Sequence, residues 1–456
     1  MQLFLLLLLH LNLPFTSSHQ HDHVSTIRRG WQPIRDYCSY NPPDLSKYGL
    51  EISVLKRTTL FNSNNSFADA GHAYTFADGE INVLVRYGAN QSRAVRSTDS
   101  GATFHPLPQQ RAPYENRSVS EIRTYAVQKR RNKEVFLFSG FSSHSRKGFK
   151  NGQDFRRQLD GSILAELLRS TNGGLSTKSS VARIWLPQNL LLQNLQHAPM
   201  VELKNGSLVC ATYAHWTGVD GFFTTIYDEN TLVYPKDRTF IIRSDDDGKN
   251  WYYRSTVAFD PSNETSNCVL NSDDQGTPPC SIVEGFNEPW LQIIPSDSEY
   301  GKDRIIAFMR TCGSEAVGVE ELDGIISGPL YRSISVDGGE TWGIVQAVAD
   351  RGVAATAVYL KAPGVMVVAY GRPSNFLMFS TDQGRSFFGH WCFLNGDIGS
   401  RYDGSQYNSI TAVEEYLKIP AVMTTYTTCT SQKNCTAEAM FLKVQRVDVG
   451  GGGVEV

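Results

Sequence analysis

One short pattern, Ser-x-Asp-x-Gly-x-Thr followed by an aromatic residue, recurs along this chain of 456 residues. Its five copies begin at Ser97, Ser170, Ser244, Ser335 and Ser380. The copy at Ser244 has Asn250 in place of the threonine, and the copy at Ser170 is degraded, with Asn172 in place of the aspartate and Thr177 in place of the aromatic residue. In tight turns, Ser and Asp side chains bond nearby backbone amides and Gly adopts a positive φ. The pattern therefore predicts a hairpin turn, called a clasp below, and its recurrence predicts a repeat fold.

Two β-like runs separated by a polar turn precede each clasp. The paired runs cover residues 72–87, 121–138, 197–213, 288–310, 356–370 and 407–426. Each pair followed by a clasp hairpin supplies four antiparallel strands. Six such units between residues 65 and 449 predict an all-β chain, a six-bladed β-propeller of four-stranded antiparallel blades. The last unit has no Asp-type clasp, and we expect residues 50–57 to join its strand at 439–447 and close the ring.

The ends of the chain predict export and a single folded domain. Residues 1–18 resemble a signal peptide, because the apolar run 3–9 is too short to span a bilayer. We assign 19–46 to an N-terminal extension, 47–449 to the propeller and 450–456 to a flexible tail. No later run is apolar enough for a membrane helix, so we expect a secreted or lumenal glycoprotein. Six sequons agree with this, at Asn64, Asn90, Asn116, Asn205, Asn263 and Asn434.

Eight cysteines are compatible with an oxidising compartment. Their spacing favours two local disulfides, Cys268–Cys280 and Cys429–Cys435. The partners of the other four cysteines are left open: Cys38, Cys210, Cys312 and Cys392.

The charge balance argues against nucleic acid as a partner, because 46 acidic and 43 basic residues leave no concentrated positive surface. A local basic cluster at residues 144–157 is interpreted as a solvated insertion, with a patch for acidic polysaccharide as the alternative. The oligomeric state is not readable from the sequence.

In an antiparallel blade, the start of the first strand and the end of the second lie on one face, opposite the clasps. The residues that open first strands are His72, Glu121, His197, Glu288 and Tyr407. The residues that close second strands are Arg86, His215, Arg310, Arg372 and Tyr426. Arginines, a glutamate and a tyrosine converging on one mouth suit the binding of an anion and acid–base chemistry on it.

These residues resemble motifs of the sialidase (neuraminidase) family, in which the clasps are known as Asp boxes. Asn287-Glu288-Pro289 with Phe308-Met309-Arg310 looks like the family's glutamate and second arginine. Tyr370-Gly371-Arg372-Pro373 looks like its third arginine, and Gln406-Tyr407-Asn408 is similar to the segment that holds its nucleophilic tyrosine. The resemblance implies Tyr407 and Glu288 as catalytic residues. It implies no cofactor or metal, and substrate-binding roles for Arg310, Arg372, Arg86 and His72.

The implied reaction is the release of terminal sialic acid, or a related acidic sugar, from glycoconjugates with retention of configuration. Arginine forks such as Arg310 and Arg372 hold the carboxylate on the anomeric carbon. A neutral tyrosine is not repelled there as a carboxylate would be, and Glu288 draws the phenolic proton from Tyr407. A separate acid must protonate the leaving oxygen.

The chain departs from the family at the first blade. Gly71-His72-Ala73 stands where an Arg-Ile-Pro segment is usual, and the loop 88–92 has no carboxylate. Arg86 or Arg123 is a candidate for the missing arginine, and Asp69 or Glu121 for the acid. Two other functions stay open. One is a non-catalytic carbohydrate-binding or matrix propeller, and the other is a polysaccharide lyase that uses His72 or His197 with Tyr407.

Overall fold

A computed structural model describes most of the chain after residue 37. The described residues are 38–62, 68–75, 80–87, 91–106, 128–129, 134–138, 157–171, 178–188, 190–195, 198–216, 237–259, 285–295, 303–311, 330–349, 353–371, 374–394, 408–413, 417–431 and 434–448. This part is all-β apart from a short 3-10 helix at Ser46–Tyr48.

The strands alternate apolar and polar residues or, in the centres of sheets, are apolar throughout. In chain order they are β1 (Leu50–Asn62), β2 (Ala68–Thr75), β3 (Ile81–Tyr87), β4 (Gln91–Ser97), β5 (His105–Pro106), β6 (Gln128–Lys129), β7 (Val135–Phe138), β8 (Ile163–Ser170), β9 (Lys178–Trp185), β10 (Leu190–Asn194), β11 (Met200–Glu202), β12 (Leu208–Trp216), β13 (Arg238–Ser244), β14 (Asn250–Ala258), β15 (Phe286–Ile294), β16 (Arg304–Thr311), β17 (Leu330–Ser335), β18 (Gln346–Ala349), β19 (Val353–Leu360), β20 (Val365–Gly371), β21 (Asn375–Ser380), β22 (Phe388–Leu394), β23 (Ser409–Ala412), β24 (Ala421–Ser431) and β25 (Asn434–Arg446).

These strands form five hydrogen-bonded sheets, whereas the sequence predicted six separate blades. Four sheets have four antiparallel strands each: β2 to β5, β15 to β18, β19 to β22, and β23 to β25 with β1. The fifth has nine strands, β6 to β14, because β14 pairs in parallel with β9 through Asn250–Arg183, Trp251–Ile184 and Tyr252–Trp185. The physical reason is that both are outer strands with unpaired backbone groups, which satisfy one another when the edges meet. The architecture is a β-propeller arrangement of small antiparallel sheets.

The amino-terminal strand completes the last sheet, as the sequence predicted. β1 pairs antiparallel with β25 along its whole length, from Leu50 opposite Arg446 to Asn62 opposite Thr436. A disulfide between Cys38 and Cys392 adds a covalent link to the sheet of β19 to β22.

The other cysteines divide into described and undescribed positions. Cys435 is disulfide-bonded and lies opposite Cys429 in the register of β24 and β25. Cys210 is a buried free thiol, and burial raises its pKa well above the usual value. Cys268, Cys280 and Cys312 lie outside the described residues, so the predicted Cys268–Cys280 bridge stays a prediction.

The clasps have the hydrogen bonds that their residue types predict. In the first clasp, Gly101 N donates to Ser97 Oγ at 2.7 Å, and Thr103 N and Oγ1 donate to the Asp99 carboxylate at 2.9 and 2.6 Å. Asp246, Asp337 and Asp382 accept the equivalent bonds in three further clasps. The clasp that starts at Ser170 is described only as far as Thr171.

The core consists of five apolar clusters, most of which lie between neighbouring sheets. One of them brings Trp290 and Phe308 against Ala357 and Phe376 of the next sheet. Every residue of β20 is buried, since this strand lies inside its sheet and is covered on both faces. No helix in the described ranges is long and apolar enough to cross a membrane.

Candidate functional site

A buried ion pair stands at the predicted mouth. Glu288 comes from β15, the first strand of its sheet, and Arg310 from the end of the neighbouring β16. Arg310 Nη1 donates to Glu288 Oε1 at 2.8 Å, and the two side chains are only 7% and 9% exposed. Two charges so far from water require close pairing, because desolvation is costly. The structure thus brings together Glu288 and Arg310, the two members of the predicted site whose side chains it describes.

The backbone at Glu288 is unusual. Its φ is +39°, and the register of β15 and β16 has an irregularity between Asn287 and Trp290, so that the Glu288-Pro289 pair falls out of the ladder. A positive φ at a residue other than glycine costs on the order of 1–3 kcal/mol and is concentrated at functional sites. A bulge also re-aims a side chain. Both features turn the Glu288 carboxylate towards Arg310.

Asp237, which contacts the residue before Glu288, is a carboxylate that the sequence interpretation missed. It is 7% exposed, and its Oδ2 accepts a hydrogen bond from Asn287 Nδ2 at 3.1 Å. Its carbonyl accepts from Phe286 N at 3.0 Å, and Gly285 crosses so close that a Cβ there would lie 2.3 Å from this oxygen. An acidic residue just before β13 was the available signal. It was missed because only first-strand starts and second-strand ends were considered, and Asp237 opens a third strand.

Tyr407 and Arg372 lie outside the described residues, but their neighbours in the sequence are in contact. Asn408 Nδ2 donates to the carbonyl of Tyr370 at 2.8 Å, and Asn408 is buried. Ile410 N donates to Thr356 Oγ1 at 2.9 Å, which joins β23 to β19. Trp290 Nε1 donates to the Ala357 carbonyl at 3.1 Å, which joins β15 to β19. The first strands of these three sheets are therefore consecutive neighbours.

His72 and Arg86 belong to the next sheet in this series. They lie on β2 and β3, and Arg86 stands opposite Asp69 in the register. Ala73 N donates to Ser409 Oγ at 3.3 Å, so β2 lies beside β23. The structure describes only the backbone of His72, Arg86 and Asp69. Three further candidates lie outside the described residues: Glu121, Arg123 and His197.

Tyr426 was placed at the mouth by the sequence, but the structure buries it within the last sheet, 2% exposed. Its hydroxyl accepts a hydrogen bond from Arg57 Nη1 at 3.2 Å. Burial, and then the nearby Glu438 carboxylate, raises the pKa of Tyr426 to about 12. Tyr426 is therefore a packed core residue, because its ring lies edge-to-face against Phe393 of the neighbouring sheet, with the centroids 5.3 Å apart.

No cluster of three or more His, Cys, Asp or Glu side chains suited to a metal ion occurs among the described residues. Among the described residues, the geometry offers a buried guanidinium, Arg310, with the carboxylate of Glu288 against it and that of Asp237 against the neighbouring Asn287. Such a set can bind an anionic group and move protons beside it.

Comparison with known proteins supports this fold class. No protein-family model and no curated protein matches the chain. Among solved structures, it is similar to a protein of unknown function from Dyadobacter fermentans, with 17% identity, a TM-score of 0.54, and coverage of 86% of this chain and 99% of that one. It is also similar to a Hadza microbial sialidase, with 13% identity, a TM-score of 0.50, and coverage of 83% and 66%. For the NanB sialidase of Streptococcus pneumoniae the identity is 12%, the TM-score 0.45, and the coverage 87% and 71%. The chain has a sialidase-like β-propeller fold.

Proposed function

We propose that this protein is a secreted, retaining glycosidase of sialidase type, which releases terminal sialic acid or a related acidic sugar from glycoconjugates. The observation that carries the proposal is the buried Glu288–Arg310 pair, held at 2.8 Å across a strained bulge at one end of a sheet. A pair that only stabilised the fold would not need the unusual backbone of Glu288.

The proposed mechanism divides the work among four side chains. Arg310 and Arg372 bind the carboxylate of the sugar, and Tyr407 attacks the anomeric carbon as a neutral nucleophile. Glu288 accepts the phenolic proton of Tyr407, and Arg310 stabilises the carboxylate form of Glu288 in the free enzyme. The contact between Asn408 and Tyr370 supports this arrangement, because it joins the segments that contain Tyr407 and Arg372.

Three carboxyl groups are candidates for the acid that protonates the leaving oxygen. Asp69 and Glu121 come from the sequence, and Asp237 is added by its contact with Asn287. An acid is dispensable for a good leaving group such as a phenol. Replacement of the true acid by its amide should therefore abolish cleavage of a natural sialoside and spare an aryl sialoside.

Three finer features complete the proposal. The nine-stranded sheet is interpreted as two blades, β6 to β9 and β10 to β14, which gives six blades in all. The clasps are interpreted as Asp boxes. The disulfide between Cys38 and Cys392 supports an extracellular or lumenal location, where such bonds persist.

The test uses the purified full chain and a fluorogenic aryl α-sialoside. The wild type should release the fluorophore, Tyr407→Phe should lose turnover while a sialic acid analogue still binds, and Tyr402→Phe is the matched control with turnover unchanged. Hydrolysis that survives in Tyr407→Phe contradicts the mechanism. Binding without turnover in the wild type indicates a non-catalytic lectin. An unsaturated, ultraviolet-absorbing product from uronic-acid polysaccharides indicates a lyase.

A further inference from the structure

A group of arginines surrounds the fifth clasp, on the face opposite the candidate active site. Arg304 begins β16 and its Nη1 donates to Gln383 Oε1 at 2.7 Å, and Arg332 of β17 donates from Nη2 to the carbonyl of Arg385 at 2.9 Å. Arg332 is 8% exposed, Arg304 is half-buried and Arg385 is exposed, so the group runs from the surface inwards. Arg304 and Arg310 are six residues apart on one strand, which separates the two sites by about 20 Å.

This arginine cluster (Arg304, Arg332 and Arg385) lacks a free counter-charge. Asp382 is the carboxylate nearby, and it already accepts hydrogen bonds from Ser380 Oγ, Arg385 N, and Ser386 N and Oγ within its own clasp. In the described part of the chain no carboxylate lies within the 4.0 Å ion-pair distance of the three guanidinium groups.

Two arginine nitrogens in this cluster also lack hydrogen-bond acceptors. The Nε atoms of Arg304 and Arg332 are buried and have no acceptor in the described ranges. Burial lowers the pKa of Arg332, and Arg304 lowers it further against the attraction of Asp382. A buried positive charge without a carboxylate at ion-pair distance is costly in free energy.

At two other clasps, an arginine of a preceding strand is paired with an acidic residue of the clasp itself. At the third clasp, Arg169 of the preceding strands pairs with Asp247 at 2.7 Å, and Gln383 occupies the corresponding position of the fifth clasp. At the fourth clasp, Arg243 pairs with Glu340 at 2.9 Å, and Arg385 occupies the corresponding position.

The first clasp is in contact with a cation, Lys56. Lys56 donates to the carbonyl of Ser100 and is attracted by Asp99. The fifth clasp combines several cations with the loss of both acids.

We propose that the arginine cluster at the fifth clasp binds a tetrahedral oxyanion, either a free sulfate or phosphate ion or the same group as an ester on a glycan. Guanidinium groups suit this ligand because each can present two parallel N–H donors to its oxygens. The anion takes the place of the acids that the third and fourth clasps provide in their own sequence. The proposal goes beyond the glycosidase function and does not depend on it.

Thermal unfolding of the full chain in sodium sulfate, against sodium chloride of equal ionic strength, tests the proposal. Wild type should gain thermal stability in sulfate alone. Arg385→Glu restores the acid of the fourth clasp, so it should raise stability without sulfate and weaken sulfate binding by about tenfold or more. Lys249→Glu makes the same charge reversal at the matching position of the third clasp, where Asp247 is present, and should respond to sulfate as the wild type does.

Three outcomes overturn the proposal: an equal gain in chloride, a full sulfate response in Arg385→Glu, or the loss of the response in Lys249→Glu. Calorimetric titration with inorganic sulfate, inorganic phosphate and a sulfated disaccharide then separates the sources. Tighter binding of the disaccharide assigns the site to glycan esters, and equal binding assigns it to the free ion. Failure of sialoside hydrolysis leaves these results unaffected, because the arginine cluster contains no residue of the proposed active site.

Discussion

At the scale of single residues, the central feature is a glutamate kept in an unfavourable backbone conformation beside a buried arginine. Burial of the two charges and the positive φ of Glu288 both cost free energy, so contacts with the surrounding strands must stabilise this conformation. Phe286 and Asn287, which precede Glu288, are fixed by hydrogen bonds to Asp237 and Thr239. The neighbouring sheet therefore imposes the conformation at Glu288.

Glu288→Gln should destabilise the protein by about 3–5 kcal/mol, because it leaves the Arg310 charge buried without its counter-ion. The free energy of unfolding, from denaturant titration, measures the loss. Glu288→Gln combined with Arg310→Met removes both charges and should be closer to the wild type. The control is Glu340→Gln in the exposed pair with Arg243, for which we expect a loss below about 1 kcal/mol. Equal losses at the two glutamates would contradict the burial argument.

At the scale of elements, the clasp fixes the turn between two strands through hydrogen bonds within its own sequence. Asp337 is representative: Thr341 N and Oγ1 donate to its carboxylate at 2.9 and 2.5 Å, and Ser335 Oγ donates at 2.8 Å. Burial opposes ionisation of Asp337, but the hydrogen bonds from Thr341 and Ser335 outweigh it and lower the pKa. These hydrogen bonds of Asp337 all lie within its own clasp, so its role is to stabilise the turn.

Asp337→Asn should lower stability by about 1 kcal/mol at neutral pH, because one acceptor for Thr341 is lost. The pKa of Asp337 is lower in the folded state, so its contribution is present above the unfolded value and is lost as pH falls below about 4. The stability difference between wild type and variant should therefore shrink in acid. Val336→Ala, at an exposed position of the same clasp, is the control and should show no such pH dependence. Loss of glycosidase activity at unchanged stability would contradict the structural role.

At the scale of the whole molecule, the first and last described strands meet in one sheet. β1 pairs with β25 across a sequence separation of nearly the whole chain, and Cys38–Cys392 closes a loop with a separation of 354 residues. Cross-linking such distant positions restricts the unfolded chain and stabilises the ring.

Cys38→Ala with Cys392→Ala should lower the free energy of unfolding by about 2–4 kcal/mol, within the usual range for a long closed loop. Thermal or denaturant unfolding under non-reducing conditions measures the change. Cys210→Ala is the control for the loss of a sulfur atom, since Cys210 is buried and forms no disulfide. A change no larger than that of the control would show that pairing of β1 with β25 suffices to close the ring.

The sequence alone determined the β class, the clasp geometry and the role of the N-terminal strand. These features depend on short-range patterns: alternation along strands, the turn chemistry of Ser97, Asp99 and Gly101, and the missing last strand that residues 50–57 supply. It also placed Glu288 and Arg310 on the two strands of one hairpin, because the order of strands along the chain is a local feature. Their contact itself depends on the bulge at Glu288, since Asn287 is the residue opposite Arg310 in the register.

Only the tertiary structure decided the features that depend on contacts between sheets. It joined β14 to β9 and gave five sheets, it buried Tyr426 against Phe393 of the neighbouring sheet, and it brought Asp237 against Asn287 from another sheet. It also linked Cys38 to Cys392 and gathered Arg304, Arg332 and Arg385 at one clasp. The physical reason is the same in each case. These contacts join residues far apart in the chain, and the packing of whole sheets, which no local pattern encodes, sets the distances between them.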